Sequence, residues 1–391
     1  MGFEIKNGIL TNYIEEPDVT EVIIPEEVTA IGDYAFSKII FGGADLTSVI
    51  IPGSVTSIGR SAFEHCRKLK NITISNGVVN IGDCAFYECK SLTNIVLPDS
   101  VTSIGSCAFW GCEKLDSVVI SHGIKSIGDR AFCGCESLSS VAIPDGVTSI
   151  SPGIFLGCER LANIVIPNGV TSIGYNAFGG CSKLMNITIP DSVTSIGDSP
   201  FFGCNLTSIA IPNSVTSIGQ GLFGNGEQIV LLPSTLLERF YTGDWGGGEG
   251  NFAIIVTDAE SFFALSFSSN GYDNNIKGVR QGNWKEYDSG LCGNSRFKIR
   301  MPARLLGMLS RLHNPTMLSA DTEAAFVSYL TKNAKKLIPL AEEVRCPAII
   351  TIAVEHGVIN STNKKAIKKR IAISHVPEIA ALSNLDSLAY M

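Results

Sequence analysis

Val101-Thr102-Ser103-Ile104-Gly105-Ser106-Cys107-Ala108-Phe109-Trp110-Gly111-Cys112-Glu113-Lys114-Leu115-Asp116-Ser117-Val118-Val119-Ile120 is one copy of a unit that recurs from about residue 20 to residue 233. Aligned on the phenylalanine, Phe63, Phe86, Phe109, Phe132, Phe155, Phe178 and Phe201 follow one another at 23-residue steps. Cys66, Cys89, Cys112, Cys135, Cys158, Cys181 and Cys204 keep pace with them. A fixed period of this size predicts a solenoid, in which each repeat buries its apolar face only against its neighbours.

Within the unit, Leu115, Val118 and Ile120 follow an L-x-x-L-x-L spacing. Val118 and Ile120 lie two apart, so a strand points both inward and turns Ser117 and Val119 outward. A proline often follows (Pro98, Pro144, Pro167, Pro190, Pro212) and ends the strand, because it has no N–H to donate. Asp-Gly, Asn-Gly or Asp-Ser then makes a turn, and Val-Thr-Ser-Ile-Gly reads as a second short strand on the opposite side. Its glycine (Gly59, Gly82, Gly105, Gly128, Gly174, Gly197, Gly219) is expected to supply a backbone angle that other residues resist. Ala-Phe-x-x-Cys fills the core through a tight turn or a short 3₁₀ segment. Three departures stand out. Phe36 to Phe63 spans 27 residues, through a lengthened return loop with Ile39 in the cysteine place. Ser151-Pro152-Gly153-Ile154 replaces Gly-x-x-Ala and is expected to distort one coil. Phe223-Gly224-Asn225-Gly226 has no cysteine, and the array is expected to stop at Leu231-Leu232-Pro233.

Twelve cysteines in 391 residues suggest a disulfide scaffold until their positions are read. Seven belong to the repeat, where cysteine serves as a small buried hydrophobe, so reduced core thiols are expected. Coils about 4.8 Å apart fall inside the disulfide Cα range of about 4.4–6.8 Å, so distance alone leaves oxidation open. Cys84 and Cys107 share a second column in adjacent repeats and are the pair expected to touch. Cys133-Gly134-Cys135 is too tight for a zinc half-site and has no second half.

The net charge of −7 hides an asymmetry. From Arg296 onward there are 14 basic and 7 acidic residues, about +7, leaving about −14 for the rest. An acidic solenoid is unsuited to gripping nucleic acid. The N-terminus shows no charged n-region followed by an apolar stretch, and no run approaches a membrane span of about 18 apolar residues. Met1-Gly2 lacks the Ser or Thr at position 6 that myristoylation wants. As it stands the sequence reads as cytoplasmic, with a secreted or surface placement as the alternative if a signal was removed. Residues 1–24 read as an N-terminal cap, 25–235 as the solenoid, 236–295 as a linker with short strands, and 296–391 as helical. Around Val344–Ile349 and Ser374–Ile379, two similar stretches 30 residues apart resemble a degenerate pair of ankyrin-like helical repeats. The fold class is thus a β-rich leucine-rich repeat solenoid followed by a small, mainly α-helical domain.

The unit Ile-Pro-x-x-Val-Thr-x-Ile-Gly-x-x-Ala-Phe-x-x-Cys-x-x-Leu resembles the BspA-like class of bacterial leucine-rich repeat proteins, over about 60% of the chain. Phe3-Glu4-Ile5-Lys6-Asn7-Gly8-Ile9-Leu10 resembles the opening segment of such proteins. The resemblance implies a right-handed solenoid used for protein–protein contact, often at a cell surface as an adhesin. It carries over no catalytic residue and no cofactor.

The outward strand positions form two columns on the expected concave sheet. One holds Asn71, Asn94, Ser117, Ser140, Asn163 and Asn186; beside it run Thr73, Val96, Val119, Ala142, Val165 and Thr188. Small and uncharged, they are candidates to receive a protein partner, against the alternative that they are repeat consensus with no ligand. Lys364, Lys365, Lys368, Lys369 and Arg370 form a candidate basic contact for acidic protein, RNA or anionic lipid, against the alternative of a solvated helix face; no aromatic residue interleaves to stack bases. The five histidines lack metal spacing, and neither G-x-S-x-G nor a P-loop occurs. The reading is a non-enzymatic scaffold for an unidentified protein partner. Its alternatives are a surface or secreted adhesin and an enzyme concealed in residues 234–391. Nothing in the sequence fixes an oligomeric state.

Overall fold

The structure is a computed structural model and describes residues 2–38 apart from 17, 42–222 apart from 207 and 220, 226–232, 250–256, 264–267, 308, 320–343, 348–374, 376, 379 and 382. Ile39, 223–225, Pro233, the glycine-rich stretch 243–249, Phe262 and Phe263, the helix expected around Leu305, Leu306, Leu309 and Leu312, Leu318 and Ser319, 344–347, His375 and 377–378 lie outside the described residues, as do Cys292 and Cys346. The chain divides into two compact units, Met1–Leu206 with Ser214–Gly224 and Thr207–Asn213 with Asn225–Met391.

In the first unit the two strands of each repeat build two faces. One face begins with the antiparallel hairpin Gly2–Lys6 and Ile9–Ile14 and continues in parallel through Ala30–Ile31, Ser57–Ile58, Asn80–Ile81, Ser103–Ile104 and Ser126–Ile127. The other face carries Glu21–Ile23, Ser48–Ile51 and Asn71–Ile74 as one sheet, and Asn94–Val96, Ser117–Val119, Ser140–Ala142 and Asn163–Val165 as another. Threonine before the short strand has a physical role: the hydroxyls of Thr56, Thr102, Thr171 and Thr194 donate to the backbone carbonyls of Thr29, Val79, Thr148 and Thr171, one coil back, at 3.0–3.2 Å.

The core is a column of rings beside a column of thiols. Phe36 through Phe201 are fully buried, and Phe63, Phe86, Phe109 and Phe132 stack at centroid distances of 5.2–5.3 Å with interplanar angles of 3–8°. Such offset pairs add about 0.5–1.5 kcal/mol each beyond simple burial. Beside them, each cysteine thiol donates to the carbonyl of the phenylalanine one coil back: Cys89 to Phe63 at 3.1 Å, Cys112 to Phe86 at 3.3 Å, Cys135 to Phe109 at 3.2 Å. Cysteine fits here because it is small, apolar and still able to donate one weak hydrogen bond. All ten described cysteines are free thiols.

The turn corrects the role assigned to the repeat glycines. None of the seven Ile-Gly glycines has positive φ. A Cβ at Gly105 would lie 2.5 Å from the Asp83 nitrogen and the Gly82 carbonyl carbon, and one at Gly128 would lie 2.4 Å from the Ser106 nitrogen. Glycine is required because the backbones of neighbouring coils touch there. The left-handed residues lie further on. Ser61, Cys84, Cys107, Arg130 and Asn176 have φ of 49–55°, and the position before the core cysteine runs His65, Glu88, Gly111, Gly134, Gly157 with φ of 53–75°. A non-glycine residue in this region costs about 1–2 kcal/mol. Bonds between coils offset it: the amides of Cys84, Phe86 and Glu88 donate to the carbonyls of Ser106, Ala108 and Trp110 at 2.7–2.8 Å. Gly105→Val is therefore expected to cost about 3 kcal/mol, read from the denaturation midpoint. A loss below about 1 kcal/mol would contradict the backbone contact.

Ser151 takes the glycine place in its coil and brings the Cβ that the others exclude. Its hydroxyl donates to the Ile127 carbonyl, and the short-strand sheet ends at Ser126–Ile127. A second sheet starts at Ser149–Ile150 and runs through Ser172–Ile173, Ser195–Ile196 and Ser217–Ile218. The ring column widens here as well, to 5.8 Å between Phe132 and Phe155 and 5.9 Å between Phe155 and Phe178.

In the second unit, Ser208–Ala210 pairs in parallel with Gly226–Leu232. Gly226–Leu232 pairs in parallel along its whole length with Gly250–Val256, and Ala264–Phe267 then pairs antiparallel with Gly250–Val256, so the sheet runs on past the last repeat. Parallel pairing needs backbone groups and a β-prone stretch such as Phe252-Ala253-Ile254-Ile255-Val256, not the repeat consensus. Helices follow at Ala320–Asn333, Leu337–Glu343, Ala348–Glu355 and Lys364–Ile371. They bury Phe326, Leu330, Leu337, Ile349, Ile352, Ile367 and Ile371. Gly357, with φ of 68°, ends the third helix, as an αL residue commonly does.

Candidate partner-binding surfaces

The outward columns are held in register by strand pairing. Asn94 faces Ser117 and Val96 faces Val119, while Ser140 faces Asn163 and Ala142 faces Val165. In the preceding sheet Ile50 faces Thr73 and Ser48 faces Asn71. All twelve sequence-assigned positions are exposed. Val96, Val119 and Val165 stand 60%, 53% and 75% exposed, on strands whose alternate residues are buried. The columns are not continuous, however. The sheet is interrupted between Asn71–Ile74 and Asn94–Val96, and Asn186 and Thr188 are exposed but belong to no strand.

The turns carry a second surface that motif reading passed over. Tyr87 and Trp110, each just after a core phenylalanine, lie 5.8 Å apart, and the Arg130 guanidinium sits 5.9 Å from the Trp110 ring centre. His65 meets Tyr87 edge-on at 5.6 Å. Glu88 is the hub of the charges here, 3.0 Å from Arg67, 3.6 Å from His65 and 3.9 Å from Lys90. Reading down the place after each phenylalanine (Glu64, Tyr87, Trp110, Cys133, Leu156) would have revealed the patch, since coil stacking brings those residues together. Because Arg67 is exposed and Lys90 half-exposed, Glu88→Gln is expected to change stability by less than about 1 kcal/mol. A larger loss in the denaturation midpoint would mark the cluster as structural.

Near the N-terminal end, Glu15, Glu16, Asp18, Asp45 and Lys68 line a cavity of about 500 Å³. Lys68 Nζ lies 2.6 Å from Asp45 Oδ2, and the Asp45 amide donates to Glu15 Oε1 at 2.6 Å. In the second unit the basic cluster lies on the helix Lys364–Ile371, anchored by buried Ile367 and Ile371. Lys365, Lys369 and Arg370 are exposed, while Lys364 and Lys368 are half-buried and engaged with neighbours. Among the described residues no group of three or more His, Cys, Asp or Glu could hold a metal ion, and no helix is long and apolar enough to cross a membrane.

Parallel two-faced coils with an inward L-x-x-L-x-L strand define a leucine-rich repeat solenoid. BspA-type leucine-rich repeats match in six copies over residues 9–41, 37–162 and 148–236, and the chain belongs to that family. It is similar to a leucine-rich repeat protein from Bacteroides ovatus, at 29% identity over 64% of this chain and 65% of that one, with a TM-score of 0.51. The chain thus spans about two thirds of that protein's length. It is also similar to a leucine-rich repeat protein of T. pallidum, at 34% identity over 46% of this chain and 83% of that one, with a TM-score of 0.42. A leucine-rich cell surface protein from Faecalibacterium prausnitzii is 24% identical over 64% of this chain and 91% of that one, with a TM-score of 0.29. No curated protein matches the sequence.

Proposed function

We propose that the protein is a non-enzymatic scaffold that binds a protein partner through the outward strand face of its solenoid. The carrying observation is the exposure of Val96, Val119 and Val165 in an uncharged column on paired strands. Burying such a side chain is worth about 1.5 kcal/mol or more. Short β-branched side chains on a rigid sheet lose little freedom on binding, so more of that gain survives as affinity. Membership of a repeat family built for contact surfaces supports the reading. The exposed cations Lys365, Lys369 and Arg370 supply a second, salt-sensitive contact.

The test is affinity capture with the full chain and with Val96→Asp/Val119→Asp/Val165→Asp. The carboxylates introduced at Val96 and Val119 would face each other across paired strands at a cost of about 1 kcal/mol, so the denaturation midpoint of the variant is measured beside the capture and must show it folded. The wild type is expected to retain a specific protein that the triple variant loses. Equal retention by both rejects the outward face.

A further inference from the structure

Cys84 and Cys107 stand apart from the seven core thiols. They occupy the same place, two residues before the phenylalanine, in successive coils, and both have φ of 55°. Both are half-buried, whereas the core thiols are buried. Their amides make the same bond to the next coil, Cys84 to the Ser106 carbonyl and Cys107 to the Asp129 carbonyl, each at 2.8 Å. The two turns are therefore copies in register. Coils stacked in register by such bonds repeat about every 4.8 Å, inside the disulfide Cα range of about 4.4–6.8 Å, and each thiol is among the groups that act on the other.

We propose that Cys84 and Cys107 are a modification site, closing into a disulfide that staples two consecutive coils when the protein meets a low-molecular-weight disulfide. A thiolate of the pair attacks the small disulfide and expels one small thiolate, leaving a mixed disulfide. The second cysteine, deprotonated in turn, attacks the protein sulfur of that bond and expels the other small thiolate. Two electrons pass from the protein to the small disulfide, which leaves as two thiols, the two protein protons being taken up with them. Cys84 is faced by Cys107, Glu64, Asp83 and Arg60, Cys107 by Arg130, Cys133, Cys84 and Asp83, and the Tyr87 phenol lies near both thiols. Burial first, then Cys107, Glu64 and Asp83, push the Cys84 thiol up to about 11 against the pull of Arg60. Burial also raises Cys107, and the Arg130 charge works against it. Thiolate is therefore scarce at neutral pH, and closure should quicken about tenfold per pH unit between about pH 7 and 9.

The test incubates the full chain with excess 2-hydroxyethyl disulfide at about pH 8, followed by alkylation and peptide mass mapping. The tryptic peptides 71–90 and 91–114 are expected to become linked, without a retained hydroxyethylthiol group on either. The thermal midpoint should rise by several degrees. In Cys84→Ser the adduct should persist on Cys107, and in Cys107→Ser on Cys84. Both variants are expected to fold, because Ser61 and Ser199 already occupy this left-handed place in other coils. Persistent adducts on the wild-type pair would overturn the proposal. So would a pair that stays free in the folded chain while reacting in the unfolded one.

Discussion

Phe109→Ala is expected to destabilise the solenoid by about 3–5 kcal/mol, from the lost transfer energy and the cavity left behind. The ring is fully buried and stacks on Phe86 at 5.2 Å and on Phe132 at 5.3 Å, so its loss opens the column on both sides. Backbone bonds in the turn limit collapse, because the Phe109 amide is tied to the Ala131 carbonyl at 2.7 Å and the Phe86 amide to the Ala108 carbonyl at 2.8 Å. Since each coil touches only its neighbours, the damage should be local. Hydrogen exchange should show lost protection in the coils around residues 86–132 and near-normal protection in the first coils. Denaturation should give the free-energy loss, and a value below about 1 kcal/mol would mean that the stack is not the main support of the core.

The thiol column predicts a steep alkaline limit. Burial pushes Cys89, Cys112, Cys135 and Cys158 above the ordinary thiol value of 9.0, and Cys181 is raised by its contact with Cys204 and by burial. In the unfolded chain the same groups ionise near 9.0. Below that value both states keep their protons and stability is unaffected. Above it only the unfolded chain loses protons, so stability falls with rising pH until the folded values are reached. Each thiol contributes about 1.4 kcal/mol per pH unit, so these five together cost about 7 kcal/mol per unit. Urea midpoints measured from about pH 8 to pH 10.5 should be flat at first and then drop sharply above about pH 9. The double variant Cys112→Ala/Cys135→Ala should start from lower stability and fall with about three fifths of the slope. A wild-type profile flat to about pH 10.5, or an unchanged slope in the variant, would show that the column does not set this limit.

The ring and thiol columns were legible because a 23-residue period repeats the same core chemistry, and nothing outside the coil competes with it. The reason for the repeat glycines was not, since close approach and positive φ leave the same mark in a sequence. Sheet continuity was also hidden. Asn71-Ile72-Thr73-Ile74 forms a strand, whereas the identical Asn186-Ile187-Thr188-Ile189 does not, so neighbouring coils decide. The outward valines could be assigned from alternation alone. Alternation says nothing of Tyr87 and Trp110, which emerge only when the place after each phenylalanine is read across coils, and Arg130 joins them from a different place in the turn.

The hairpin Gly2–Lys6 and Ile9–Ile14 bears on a hazard of any stacked chain. A bare first coil would present to a second molecule the groups each coil presents to the next, and copies could then grow end to end into fibres. Here Ile9–Ile14 closes the first coil in parallel, and Gly2–Lys6 then runs antiparallel across it. Tyr13 stacks on Phe36 at 5.1 Å and Phe3 covers Tyr13 at 5.6 Å, which seals the ring column. The outermost strand, with Glu4 and Lys6 on it, no longer has the direction that an incoming coil needs. An antiparallel strand along that edge disfavours end-to-end stacking of copies.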